Sequence, residues 1–308
     1  MTIPKYIGNG AYCYSNSVSM MLNHAGEDIS PSLIEILSTV GLGAFWSNRS
    51  NMIFFSNLAT SPDRGINNAL KQLGFQFTEY VQETPDNAPI EELKKCLTNS
   101  LVVIGPIDIA YLKTKGISDE PGGDHYVAVY KVADDKVWIH DPQEYPALAI
   151  PTSEFVQVWK AENIGYRHGY YHYWTNPKRI ESFSDDQIYQ NAIQFFKEIY
   201  RSCENHDDHE LINDEAILAC ANFVKDGPQH LKGHLLGFCF PLGARRALDY
   251  GHFFNSHDDK LAQIKENQAV VFSRCQIAGM DNNWGEVSSL LFDLANLEKE
   301  FKDALLLK

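Results

Sequence analysis

At 308 residues, with 44% hydrophobic and 12% aromatic side chains, the sequence can bury a substantial core in one large domain or two smaller ones, and it is not a disordered chain. Its formal net charge of -14 is spread along the whole length, with 12 basic against 20 acidic residues from Phe183 onward and 14 against 20 before it. A surface of that sign excludes nucleic acid and anionic membranes as expected partners, since both are bound through basic patches.

The opening MTIPKYIGNG has neither the basic start nor the apolar run of a signal peptide, and no stretch approaches a membrane span, so a cytoplasmic location is expected. Cys13 to His24 carries Val18, Met21 and Leu22 at helical spacing and is stopped by Gly26. Ser30-Pro31 begins a second helix that ends before GLGAFW, which reads as a close-packed turn. Short elements then alternate: MIFFSN as strand, INNALKQL as helix, FQFTEYV as strand, PIEELKKCLTN as helix and LVVIGPI as strand. A hairpin and the strand-like YRHGYYHYW follow. The polar stretch Thr175 to Asp186 marks a boundary, which predicts domains at 1–178 and 179–308. Beyond it helical periodicity dominates, in Ile188, Ala192, Phe195, Ile199 and Cys203, in Leu261, Ile264, Val271, Phe272 and Cys275, and in Trp284, Val287, Leu291, Leu294, Leu297 and Phe301. The expected fold class is α+β, an antiparallel sheet with crossing helices followed by an all-helical bundle of about five helices.

The hairpin GDHYVAVYKVADDKVWIHDP, Gly123 to Pro142, places Val127 and Val129 on one face of its first strand and Val137 and Ile139 on one face of its second. If these are the same face, a three-residue loop at Val132 to Asp134 pairs Val129 with Val137 and sets His125 directly opposite Asp141. A two-residue loop at Asp134 and Asp135 would put the pair on opposite faces. The first register is the expectation. A histidine held by a carboxylate is half of a nucleophilic machine, because the carboxylate fixes the tautomer and stabilises the imidazolium. The structural alternatives are a buried ion pair and a surface hairpin with ordinary polar ends.

Cys13 supplies the other half. The six cysteines are scattered without a CxxC pair and read as reduced thiols, most of them core residues. Cys13 alone sits at a predicted helix N-terminus, where unpaired N–H groups and the helix dipole stabilise a thiolate. Cys96 lies inside an amphipathic helix pattern.

The order of helix-borne Cys13, strand-borne His125 and strand-ending Asp141 resembles the papain-like cysteine enzymes, and HYVAVYKVADDKVWIHDP looks most like their C39-type branch. More narrowly, AYCYSNSVSMMLNHAGEDIS, GLGAFW and the helical part after the catalytic domain resemble the family of butirosin biosynthesis protein H. That resemblance implies a cysteine acyltransferase moving an acyl group from a carrier-protein thioester to a small-molecule amine in natural-product assembly. It implies Cys13 as nucleophile, His125 as general base and Asp141 as orienter, with no cofactor and no metal. Papain-like enzymes commonly place Gln six residues before the cysteine, where this chain has Ile7. Asn9 is therefore the expected oxyanion donor, together with the Cys13 N–H. C39-type peptidases usually follow the cysteine with Gly, where this chain has Tyr14. Tyr14, Phe45 and Trp46 are the expected substrate-binding side chains. The alternatives are a cysteine hydrolase or peptidase with the same triad, and a non-catalytic papain-like binding module that grips a carrier protein or peptide.

Four other features are read as structural. His168 and His172, on a strand, stand about 13 Å apart, too far to share one ion. ENHDDHE, Glu204 to Glu210, matches no known ligand spacing and reads as a charged loop. Gly41 and Gly43 lack the helix start and lysine of a phosphate loop. Arg245 and Arg246 read as a surface pair.

Overall fold

The computed structural model describes residues 3–112, 121–204 and 210–308. The chain divides into two units, one formed by 1–34 and 62–182 and the other by 35–61 and 183–308. Among the described residues no helix is long and apolar enough to cross a membrane.

In the first unit, α1 (Cys13–His24) is followed by α3 (Pro62–Gln72), β3 (Phe75–Gln82), α4 (Ile90–Cys96) and β4 (Val102–Asp108), with α2 (Pro31–Ser38) and the short strands β1 (Phe45–Ser47) and β2 (Met52–Phe54) lying between α1 and α3 in sequence. Next come β5 (Asp124–Ala133), β6 (Lys136–Asp141), β7 (Tyr145–Pro151), α5 (Thr152–Lys160) and β8 (Tyr170–Arg179). Six of these strands form one antiparallel sheet in the order β3-β8-β4-β5-β6-β7. β4 lies between two partners and is buried at every position, which is why VVIGPI reads as a continuous apolar run rather than an alternation. One apolar cluster joins Val127, Val129, Val137 and Ile139 to Leu93 of α4 and to Phe155, Val158 and Trp159 of α5.

The hairpin turns differently from the expected register. Its loop is the two-residue Asp134–Asp135, both at positive φ (51° and 54°) as a type I′ turn requires, and Val132, not Val129, pairs with Val137. Taken alone, that register would send His125 and Asp141 to opposite faces. A register shift between Val129 and Lys131 corrects it: with Tyr130 left over as a bulge, Val129 pairs with Ile139 and Ala128 with His140. Carried one pair further, this register sets Asp141 across from Val127. His125 is then the diagonal neighbour of Asp141 on the same face, not its direct opposite.

The second unit holds a three-stranded antiparallel sheet, β2-β1-β9, whose last strand is β9 (Glu210–Ile212). Its helices are α6 (Asp185–Cys203), α7 (Asn213–Val224), the short α8 (Lys232–His234), α9 (Phe240–Asn255), α10 (Asp259–Met280) and α11 (Trp284–Leu306). Local chemistry sets their starts. Ser184 and Gln187 form a capping box at α6, Asp258 accepts from the Leu261 N–H at α10, and Asn283 accepts from the Glu286 N–H at α11.

The division departs from the expected single break between residues 178 and 179, because 35–61 also belongs to the second unit. Trp46, Ile53 and Phe55 are core residues there, packed with Ile217, Phe240 and Phe272. Arg246 is not a surface residue: it is 8% exposed, ion-paired to Glu35 at 2.8 Å, and donates to the Phe55 carbonyl. Its stem also fills the space beside Gly41. Arg245 lies 4.0 Å from Asp249.

Candidate active site

Cys13 is the first residue of α1 and is half-buried. The residue before it, Tyr12, caps the helix in the left-handed region at φ 57°, ψ 49°, although its ring is buried. A bulky residue in that region costs free energy, and such strain concentrates where a site must hold one geometry. No acidic side chain occupies the first turn of α1 to oppose a thiolate there.

His125, the second residue of β5, and Asp141, the last of β6, are 1% and 0% exposed. Their Nε2 and Oδ1 atoms stand 2.7 Å apart. An ionised carboxylate only accepts, so His125 donates from Nε2, and its neutral ring keeps a lone pair on Nδ1. Nδ1 is buried and has no hydrogen-bond partner among the described residues. The expected third contact, from His125 to Cys13, is therefore not formed as a hydrogen bond.

The segment before Cys13 is stitched to the turn that carries Asp141. Tyr6 donates from its hydroxyl to the Asp141 carbonyl at 2.9 Å and accepts there from the Glu144 N–H at 2.9 Å. Gly10 N–H donates to the Pro142 carbonyl at 3.3 Å, and His140 donates from Nε2 to the Pro4 carbonyl at 3.0 Å. Gly8 permits this approach, because a Cβ there would clash with the Tyr6 hydroxyl and fall 2.7 Å from the Pro142 oxygen. Burial pushes the Tyr6 hydroxyl pKa up, which keeps it a neutral donor. The Asp141 Oδ1 accepts a second bond, from the Gln143 N–H at 2.8 Å.

On the other face of β5, Tyr126 is completely buried against Gly105, where a Cβ would clash with its ring. Its hydroxyl stands 3.1 Å from that of Tyr166, which donates to Asp124 at 2.7 Å. Burial, then the charges of Asp63 and Asp124, raise the Tyr126 pKa well above its ordinary value, and the Cys13 charge adds to this.

Asn9 is an exposed residue whose Oδ1 accepts from the Ala11 N–H at 3.2 Å and from Asn16 Nδ2 at 3.1 Å. Tyr14 does not offer a substrate surface: it is buried, with its ring edge against Tyr126. Phe45 and Trp46 are accounted for within the second unit. Phe45 stacks on Phe54 across β1 and β2, and Trp46 packs on Phe223 in the helical core. They form a strand where a turn was expected, because Phe45 and Trp46 pair with β2 on one side and β9 on the other.

His172 pairs with Glu79 at 2.9 Å and His168 with Asp63 at 3.3 Å. Among the described residues no three His, Cys, Asp or Glu side chains are grouped to hold a metal ion. Most of ENHDDHE, residues 205–209, lies outside the described residues. Sequence reasoning missed Tyr6, Asn16, Tyr126 and Tyr166. For Asn16 a signal existed, since three consecutive polar residues, Ser15 to Ser17, stand in the first turns of a helix that is buried from Tyr14 to Leu22.

Two comparisons bear on the chain. The family described as the YobF C-terminal domain matches residues 207–306, which take in β9 and the helices α7 to α11. The whole chain is similar to the uncharacterized protein YobF of Bacillus subtilis (strain 168), with 37% identity over 307 residues and 98% of each chain covered.

Proposed function

The chain belongs to the YobF family, and from its candidate site we propose that it is a cysteine acyl-transfer enzyme with a papain-like catalytic unit. The observation that carries this reading is the fully buried His125–Asp141 pair, 2.7 Å apart. It is tied by four hydrogen bonds to the segment leading into a half-buried cysteine at a helix N-terminus. A buried imidazole whose one nitrogen is committed to a carboxylate and whose other nitrogen is unpartnered suits a general base better than a structural pair, in which both nitrogens would be satisfied.

In this reading Cys13 gives its thiol proton to His125 Nδ1 and attacks the carbonyl carbon of a thioester or amide. The imidazolium, held by Asp141, returns the proton to the departing thiolate or amine. An acyl-enzyme results, and a small-molecule amine resolves it by the reverse sequence, with His125 now taking the proton from nitrogen. An acyl carrier protein is the proposed donor. The six free thiols accord with a reducing compartment, here proposed as the cytoplasm.

The unpartnered Nδ1 also favours a second reading, a papain-like binding module in which Cys13 is never activated. The two separate on one experiment. Incubation with a panel of acyl-carrier and N-acetylcysteamine thioesters, followed by intact mass and peptide mapping, is expected to give an acyl adduct on Cys13 that is absent in Cys13→Ala and that an added amine discharges. An adduct discharged equally fast by water alone would make the enzyme a hydrolase. No adduct with any donor would favour the binding module.

A further inference from the structure

We infer that Asn16 is a positioning residue for the oxyanion donor of the site proposed above, acting through Asn9. The hydrogen bonds fix both amides without ambiguity. Asn16 is completely buried, and its Nδ2 lies 2.6 Å from the Ala11 carbonyl, 3.0 Å from the Tyr12 carbonyl and 3.1 Å from Asn9 Oδ1. Two of those partners are backbone carbonyls, which only accept, so the atom facing them is the NH2 group. Asn9 is assigned in the same way. Its side-chain oxygen faces the Ala11 N–H, which only donates, and the Asn16 NH2. With both lone-pair directions of Oδ1 occupied, the amide plane of Asn9 is set, and Nδ2 is the end not engaged with Ala11 or Asn16. That end carries two N–H donors four residues before Cys13, where sequence reasoning calls for an oxyanion donor in place of the missing Gln.

The same clamp holds the strained turn. The Ala11 and Tyr12 carbonyls converge on one NH2 group, and the Asn16 N–H also returns to the Tyr12 carbonyl at 2.8 Å. This closes the first turn of α1 around the left-handed Tyr12. The Asn16 Oδ1 has no hydrogen-bond partner among the described residues. The contacts that hold this turn are made by the Asn16 donors. Serine, with one donor, can serve only one of the three acceptors.

The test separates acylation from alkylation at the same sulfur. With p-nitrophenyl acetate, the Cys13 sulfur forms a bond to the acetyl carbon, the C–O bond to p-nitrophenolate breaks, and the thiol proton passes to His125. An oxyanion develops, so donors matter. With iodoacetamide the sulfur displaces iodide from a saturated carbon and no oxyanion forms. Asn9→Ala and Asn16→Ser are each expected to slow acetylation of Cys13 by about a hundredfold while leaving carbamidomethylation near the wild-type rate. Adding Asn16→Ser to Asn9→Ala should produce no further loss, because the one acts through the other. Asn16→Ser acetylating at the wild-type rate, losing both reactions in parallel, or adding its full loss to that of Asn9→Ala would overturn the inference. A wild-type protein not acetylated at Cys13 at all would instead sink the acyl-transfer reading on which it rests.

Discussion

His125 and Asp141 meet only because Tyr130 is left out of the β5–β6 ladder: the bulge there restores a face that the two-residue loop would have reversed. A one-residue change of register moves every side chain beyond it to the other side of a sheet. Inserting one glycine between Val127 and Ala128 should therefore send His125 away from Asp141, and the rate of Cys13 acylation should fall to background. Deleting Tyr130 removes only the unpaired residue, leaves Val129 opposite Ile139, and should keep His125 and Asp141 on one face with part of the rate retained. Acetylation followed by intact mass checks both; a folded deletion variant that acylates no faster than the insertion variant would mean that the bulge has another role.

Asp141→Asn should preserve the fold, since an amide is close in shape and its oxygen can still accept from the Gln143 N–H. It no longer supplies the negative charge that stabilises the His125 imidazolium. Acylation of Cys13 should fall by about a thousandfold or more with an unchanged circular dichroism spectrum.

His140 shows the opposite use of an imidazole on the same strand. Its Nε2 donates to the Pro4 carbonyl, its Nδ1 accepts from the Ala147 N–H, and burial lowers its pKa below 6.5. The native state thus resists protonation where the unfolded chain accepts it, so stability is present above about pH 6.5 and is lost as pH falls below it toward the native value. His140→Gln should flatten that slope. Thermal unfolding between pH 5 and 8 measures it, and an equal slope in the variant would remove His140 as the cause.

The helical unit depends on a buried pair. Glu35 is 1% exposed and Arg246 8%, and Arg246 Nε donates to Glu35 Oε1 at 2.8 Å. Glu35→Ala leaves a buried guanidinium uncompensated and should cost about 3 to 5 kcal/mol in urea unfolding. Glu35→Leu combined with Arg246→Met should cost less than either change alone. Equal, additive losses would indicate that packing and not charge dominates.

Helix α1, the His125 and Asp141 strands and the long helices α6, α10 and α11 were legible because their apolar spacing repeats over many residues. MIFFSN is legible as strand β2, but β1 is three residues, too short for any period, and the membership of 35–61 in the second unit is hidden because the partners of these strands, β9 and Phe272, lie far along the chain. β7 and α5 went unread for a related reason: in PALAI neither a two- nor a three-residue repeat stands out. The bulge was invisible since Tyr130 is an ordinary strand residue. Tyr6 acts through a bond spanning 135 positions, which no local pattern encodes.

Cys13 and Cys96 are the two half-buried thiols, which makes one an internal control for the other. The four in the helical unit are buried, with pKa values pushed up by desolvation, that of Cys275 to about 12. The most direct measurement is the rate at which each of the six reacts with limiting iodoacetamide near neutral pH, read by peptide mapping in the wild type and in His125→Ala. A thiol activated by His125 and the α1 N-terminus reacts first, well ahead of Cys96, and loses that lead when the imidazole is removed. Cys13 reacting no faster than Cys96, or as fast without His125 as with it, would contradict the account.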